Sequence, residues 1–280
     1  MAHRTAVVTA AATYILLLAG GLVHSTGAGL ACPDWPLCYG MWLPPMVGNI
    51  RFEHSHRLIA GTVGILTLIT SALVWFKERA TLRPLVVAAV LAIVVQIILG
   101  GLTVIYRLPD LVSTAHLAVG TAFFALLVVL SVKTARGQDS SPSPEASACR
   151  AAIWTGIVLV YCQTILGAFV RHTESGGACP DLPYCHGTWL PPIQTPGGLH
   201  MLHRYGAVAA VAAVSWVFLA CRRVEALRQW SAVALALCVT QVLAGMAAVL
   251  TKLSLGSVMV HLGLAMALIL CLAVPAAKTS

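Results

Sequence analysis

The chain of 280 residues is strongly apolar: 59% of its residues are hydrophobic, only 9% are charged, and the mean hydropathy is +0.89. A soluble protein carries about 25% charged residues, so this composition excludes a soluble globular domain. The net charge of +8 requires no nucleic-acid partner, because the lysine and arginine residues that set the orientation of a membrane protein can account for it.

Eight apolar runs are each long enough to cross a bilayer, which takes about 20 helical residues. The first run is too long for a cleaved signal peptide and is followed by further spans, so we interpret it as a transmembrane helix. The sequence therefore predicts an all-α integral membrane protein with eight transmembrane helices. The runs lie at residues 6–23, 54–76, 85–106, 111–132, 152–170, 200–221, 231–250 and 257–275.

The two halves of the chain are expected to be separate four-helix bundles. Residues 1–132 form the N-terminal bundle and residues 151–280 the C-terminal bundle in this interpretation. A polar, Pro- and Ser-rich stretch lies between them, and we expect residues 133–150 to be a flexible cytoplasmic linker. An even number of spans in each half predicts a parallel repeat.

The distribution of lysine and arginine between the two sides predicts the orientation of the chain in the membrane. With both termini in the cytoplasm, eleven of the 17 cations lie on the cytoplasmic side and six on the outer side, as the positive-inside rule requires. The six outer cations are Arg51, Arg57, Arg107, Arg171, Arg204 and Lys252.

An internal repeat supports this division. The segment CPDWPLC at residues 32–38 recurs as CPDLPYC at residues 179–185, and each is followed by a Trp-Leu-Pro-Pro segment. The offset of 147 residues also relates His56-Arg57 to His203-Arg204, and a later histidine recurs at an offset of 145. A duplicated unit that keeps cysteines and histidines indicates duplicated chemistry.

The repeated cysteines lie in outer loops, at about residues 24–52 and 171–199. Pairs Cys32–Cys38 and Cys179–Cys185 each close a seven-residue ring on the oxidising side, where a disulfide contributes roughly 2 kcal/mol. We favour structural disulfides over a redox-active dithiol or a metal site that includes His186. The five scattered cysteines are interpreted as small buried apolar residues.

Four histidines fall inside predicted transmembrane helices near their outer ends. The second and fourth helices of each half contribute one each: His56 and His116, then His203 and His261. Ionisable groups at this depth usually face a bundle interior or a cofactor, and neutral imidazole is an axial ligand of haem iron. The pattern predicts one bis-histidine haem site per half.

Charged neighbours distinguish the two sites. Arg57 and Arg204 follow their histidines and could pair with haem propionates or simply lie at the interface. Glu53 lies three residues before His56, on the same helical face, and the second half has His200 in its place. A carboxylate at one site can act as a base or stabilise positive charge on a substrate. Alternatively, it has no catalytic role and only interacts favourably with the helix dipole at the N-terminus.

These elements together resemble the heme A synthase family, whose members oxidise a methyl group of haem O to the formyl group of haem A. The resemblance covers nearly the whole chain and rests on Glu53-x-x-His56-Arg57, the CPDWPLC loop, His116 and the repeated His203-Arg204 and His261. It implies a cell-membrane enzyme with substrate haem O in the N-terminal half and cofactor haem b in the C-terminal half.

The resemblance also implies roles for single residues. His56 and His116 would flank the substrate haem, Glu53 would be the catalytic carboxylate, and His203 and His261 would ligate haem b. The family oxidises the methyl through an alcohol with oxygen from water, so a membrane electron acceptor and a haem O synthase are implied as partners.

Two alternatives accompany this interpretation. His200 could compete with His203 as a ligand, although we expect it to be an outer contact or solvent-facing, and His54 is expected to face away from His56. The chain could also be a bis-histidine di-haem cytochrome b that only transfers electrons, but such a protein would place its haems near opposite membrane faces.

Overall fold

The computed structural model describes residues 1–135 and 143–279, which are helical apart from their connecting loops. Eight of the helices in this part of the chain are long and apolar enough to cross a membrane, which confirms the predicted all-α class and its eight spans. The helices are α1 Ala2–Ser25, α2 Ile50–Lys77, α3 Arg83–Ile105, α4 Asp110–Lys133, α5 Pro144–Ala148, α6 Arg150–His172, α7 Pro196–Cys221, α8 Glu225–Leu250 and α9 Leu255–Thr279.

The chain divides into two compact units between residues 139 and 140. In the first unit, α1 packs on α2 and α4, and α3 packs on the same two helices, so the four helices form a closed ring. A tight turn at residues 106–109 joins α3 to α4, with Arg107 and Leu108 in the left-handed region. Short connections of this kind make neighbouring helices antiparallel.

The second unit repeats this order. Helix α6 packs on α7 and α9, and α8 packs on the same two helices. Its core includes the fully buried side chains of Ile153, Val214, Val217, Met266 and Leu272. Each half thus forms its own four-helix bundle, and their parallel relation stays a prediction.

The described part of the predicted linker contains a short helix, α5. Ser143 caps α5 by accepting a 3.2 Å hydrogen bond from the amide of Ala146, and Pro144 occupies the first turn, where its missing N–H costs nothing. Residues 136–142 of the predicted linker, which include Arg136, lie outside the described residues.

All eight membrane-spanning helices begin earlier than the apolar runs indicate. Helices α1, α2 and α7 begin four residues before their predicted starts and α8 six residues before, because a helix can begin with residues that do not belong to its apolar run. The Thr195 hydroxyl caps α7 by accepting from the amide of Gly198 at 3.1 Å. As a result, Glu53 lies in the first turn of a helix.

The scattered cysteines are buried with one exception. Cys149, Cys221, Cys238 and Cys271 are buried, as expected for small apolar residues. Cys162 is exposed on the protein surface, so the expectation was wrong there: its position on α6 is directed away from the bundle.

Candidate functional site

The four membrane histidines meet in pairs, one pair within each bundle. His56 on α2 lies close enough to His116 on α4 for the rings to interact electrostatically, and His203 on α7 is in the same relation to His261 on α9. All four rings are half-buried. The structure therefore brings together the two pairs of residues that the sequence singled out.

Each histidine ring lies against a glycine of the preceding long helix. The absence of a side chain lets the helix backbone approach the ring, and a Cβ added to any of these glycines would lie within 3.4 Å of the ring carbon Cε1. The pairs are Gly20–His56, Gly100–His116, Gly167–His203 and Gly245–His261, at 3.1, 3.4, 2.7 and 3.0 Å. The glycines follow the same offsets as the histidines, 147 and 145 residues.

The ring nitrogens fit the requirements of a haem ligand. Nδ1 of His56, His116 and His261 is buried without a hydrogen-bond partner among the described residues. A buried unpaired polar atom is costly, and binding of iron at the other ring nitrogen, Nε2, would offset that cost. Two imidazoles in each bundle are also the donor set of a six-coordinate haem iron, so the residues fit the group.

Glutamine side chains approach the second pair of histidines. Nε2 of Gln163 on α6 lies 3.0 Å from Nδ1 of His203, and Nε2 of Gln241 on α8 lies 3.3 Å from Nε2 of His261. Gln96 corresponds to Gln241 in the first unit, but its carboxamide lies over Gly120 instead. Sequence reasoning missed these glutamines, although a polar residue in an apolar span was an available signal.

Glu53 is buried next to this site in the first unit. The residue is only 5% exposed, and its Oε1 accepts a 2.7 Å hydrogen bond from Nε of Arg57, one helical turn later. The corresponding residue of the second unit, His200, is also 5% exposed, which corrects the expectation that it faces solvent. The two sites thus differ in a buried carboxylate, which can accept a proton.

The two cysteine loops share one backbone conformation. Residues 38–41 and 185–188 each form a two-residue turn closed by paired backbone hydrogen bonds, and the central residues have positive φ, as in a type I′ turn. Gly40 and Gly187 fit the second central position because glycine adopts positive φ without strain.

An aspartate holds each of these turns. The Asp34 carboxylate accepts from the amides of Tyr39 and Gly40 at 2.6 and 2.8 Å, and Asp181 does the same for the amides of His186 and Gly187. These hydrogen bonds, chiefly the one from Gly40, lower the pKa of Asp34, and those from His186 and Gly187 lower the pKa of Asp181. Sequence reasoning missed both aspartates, although their recurrence at the repeat offset was a signal.

The arginines after the histidines bind these loops. Arg57 donates to the carbonyl oxygens of Cys32, Asp34 and Leu37 at 3.1, 2.7 and 2.5 Å. Arg204 binds the corresponding loop oxygens, with an additional bond to Pro183. The guanidinium groups therefore connect each loop to its histidine helix, and a contact with haem propionates stays a prediction.

Both predicted cysteine pairs lie at disulfide distance, with S–S separations of 2.03 Å for Cys32–Cys38 and 2.04 Å for Cys179–Cys185. A ring nitrogen of buried His54 lies within 4.8 Å of both sulfurs of the first pair, and Met201 packs in the corresponding place on the second pair. His186, which we considered as a metal ligand, instead bonds the carbonyl oxygen of Ala178 through Nε2 at 2.9 Å.

Known proteins resemble this chain over most of its length. A family model described as "Cytochrome oxidase assembly protein" (COX15-CtaA) matches residues 3–50 and 48–273. A protein of Symbiobacterium thermophilum named "Heme A synthase" is 32% identical over 92% of this chain and 89% of its own length. Proteins of the same name from Shouchella clausii and Halalkalibacterium halodurans are 31% and 30% identical, over 89% and 88% of this chain and 86% of their own lengths.

The family match spans both bundles, both cysteine loops and all four membrane histidines. Together with the eight apolar helices, it identifies a multi-pass membrane protein. The chain belongs to the COX15-CtaA family of cytochrome oxidase assembly proteins.

Proposed function

We propose that this chain is a heme A synthase, an oxidoreductase that converts the methyl group of haem O to the formyl group of haem A through an alcohol. The observation that carries the proposal is the pair of glycine-backed histidines in each bundle, in a chain whose relatives are named heme A synthase. Haem A made in this way serves terminal oxidases.

The two bundles are assigned different haems. His56 and His116 bind the substrate haem O, and His203 and His261 ligate a resident haem b. Bound haem b supplies one-electron transfer. The assignment rests on Glu53, because a buried carboxylate beside only the first pair supports chemistry in the first unit and electron transfer in the second.

Glu53 acts as the base of the oxidation. Converting the methyl group to an alcohol consumes one water and releases two electrons and two protons, and converting the alcohol to the aldehyde releases two more of each. We assign the oxygen to water, since iron held by two histidines has no open position for dioxygen. The Glu53 carboxylate accepts the proton of the attacking water, while Arg57 fixes its Oε1. The electrons pass to a membrane electron acceptor.

The proposed location is the cell membrane, with both termini in the cytoplasm. The distribution of lysine and arginine supports this orientation, and it places both pairs of histidines near the outer face, with residues 133–150 as the cytoplasmic connection. A haem O synthase in the same membrane would supply the substrate, and an electron-transfer protein would receive the electrons.

The names of the relatives favour the synthase over the di-haem cytochrome b. The position of the histidines agrees, because all four lie toward one end of their helices, whereas an electron path across the membrane places haems near both faces.

The proposal is tested by expressing the chain with a source of haem O in a host that makes no haem A. We expect haem A and the alcohol intermediate in the extracted haems, identified by mass. His56→Ala should yield neither, whereas His186→Ala, which changes an exposed loop histidine, should yield both. Only haem b in the extract of the wild-type chain would contradict the proposal.

A further inference from the structure

The surroundings of His203 and His56 differ, although the two residues correspond in the repeat. Gln163 lies one helical turn before Gly167 on α6, so the same helix face presents the glycine that backs the His203 ring and a carboxamide that bonds it. In the first unit, the residue at the position of Gln163 is Leu16.

The carboxamide of Gln163 is held from two sides. Its nitrogen donates to the backbone oxygen of His203 at 2.7 Å and lies 3.0 Å from the ring Nδ1. Its oxygen lies over Gly206, one turn after His203 on α7, where an added Cβ would overlap it. Gly206 is therefore the residue that makes room for Gln163.

The first unit lacks both members of this pair. Leu16 and Ile59 stand where the second unit has Gln163 and Gly206. The Leu16 backbone carbonyl faces the His56 ring, but the buried Nδ1 of His56 has no hydrogen-bond partner within the described ranges. The glycine that backs the ring is thus present in both units, whereas among the described residues only His203 of these two has a side-chain partner at Nδ1.

A side-chain partner at Nδ1 fixes the orientation and tautomer of a ligating histidine and strengthens it as a donor. Ligation through Nε2 places the ring proton on Nδ1, which then needs an acceptor. A carboxamide has a donor nitrogen and an acceptor oxygen. If the Gln163 carboxamide rotates by half a turn, its oxygen can accept the Nδ1 proton, and its nitrogen gives up the hydrogen bond to the backbone oxygen of His203.

We propose that Gln163 is a positioning residue that fixes His203 and makes the second unit the one that retains its haem. The inference rests on the proposed function, in which haem b stays bound while haem O must enter and its product must leave at every turnover. A histidine ring with a hydrogen-bond partner at Nδ1 is expected to hold a haem that stays bound. A ring without such a partner is expected to hold a haem that enters and leaves at every turnover.

The test uses the full-length purified protein and two measurements: the rate at which haem b passes to excess apomyoglobin, and the midpoint potential of haem b. Gln163→Leu should release haem b roughly 10-fold faster, as for other lost partners of metal-bound histidines, and should shift the potential to a more positive value because the ligand becomes a weaker donor. Gln163→Glu, which keeps an acceptor, should restore slow release and shift the potential in the opposite direction.

Thr164→Val is the matched control, because the hydroxyl of the neighbouring Thr164 donates to the carbonyl oxygen of Val160 in its own helix. It should behave as the wild-type chain in both measurements. Wild-type release and potential in Gln163→Leu would overturn the inference, as would equal shifts in Thr164→Val. If Gln163→Leu fails to fold, an unchanged potential in Gln163→Glu overturns it.

The proposed function is tested separately by His203→Ala. Loss of the low-spin haem b spectrum in this variant is expected. Retention of that spectrum would overturn the ligand assignment and this inference with it, whereas its loss together with an unaffected Gln163→Leu variant would overturn the inference alone.

Discussion

At the scale of single residues, the Glu53 carboxylate is the largest chemical difference between the two sites. It is buried, and its partner Arg57 also binds three carbonyl oxygens of the first cysteine loop. The carboxylate is therefore fixed by a side chain that is itself fixed by the loop. The corresponding arginine, Arg204, binds its loop in the same way but has His200 one turn before it.

Replacing Glu53 by Gln keeps the shape of the side chain and removes the base. We expect formation of the alcohol and of haem A to fall by about 10²- to 10⁴-fold, the usual contribution of a general base. Haem b in the second unit should be retained, which optical spectra of the purified variant would show. Glu78→Gln, at the opposite end of α2 from Glu53, is the control, and equal activity in the two variants would remove Glu53 from the mechanism.

Sequence reasoning identifies the histidines and Glu53 because the repeat shows which positions are the same in both halves and which differ. It does not identify Gln163, because its significance depends on which helix faces His203 and on the space above Gly206. Contacts between side chains on different helices follow from packing, which a hydropathy pattern does not describe.

At the scale of the elements, the cysteine loops combine a disulfide, a type I′ turn and an aspartate that accepts two amide hydrogen bonds. The sequence predicts a folded loop from its prolines and paired cysteines. The role of Asp34 was not predicted, since an aspartate in a polar loop is ordinarily solvated. The structure shows that a charged acceptor helps to hold the turn.

This arrangement makes loop stability depend on pH. The pKa of Asp34 in the folded protein is lowered from 3.8. Asp34 therefore stabilises the turn fully above pH 3.8, and this stabilisation is lost as the pH falls through the lower pKa of the folded state. We expect protection of the Gly40 amide from hydrogen exchange, corrected for the intrinsic rate, to decrease in that range. In Asp34→Asn the side chain no longer titrates, so protection there should be independent of pH. A pH-independent wild-type loop would refute this account.

The close contact between helices at each histidine gives a second test at this scale. In Gly167→Ala the new Cβ would lie 2.7 Å from His203 Cε1, so the ring must move and we expect most haem b to be lost during purification, measured by its optical absorbance. Gly64→Ala is the control, because no atom lies within 4 Å of a Cβ at that helical position. Full haem b content in Gly167→Ala would mean that the ring does not require this glycine.

At the scale of the whole molecule, length and hydropathy are enough to predict eight helices, because every span must bury its backbone polar groups within itself. The helix ends are predicted less well: α1, α2 and α7 begin four residues earlier than their apolar runs and α8 six residues earlier, since a first turn outside the apolar run adds no hydropathy signal. The ring order within each bundle comes from the structure, because similar apolar faces do not specify their neighbours.

The central claim is that two similar bundles perform different tasks, oxidation of haem O in the first and electron transfer through haem b in the second. The repeat supplies the common histidines and glycines. Glu53 in one unit and the pair Gln163 and Gly206 in the other distinguish them.

The most direct test is the identity of the haems extracted from purified His56→Ala and His203→Ala variants expressed with a source of haem O. The account predicts that His56→Ala keeps haem b and loses haem O and haem A, whereas His203→Ala loses haem b and still binds haem O. Loss of the same haem from both variants would contradict it.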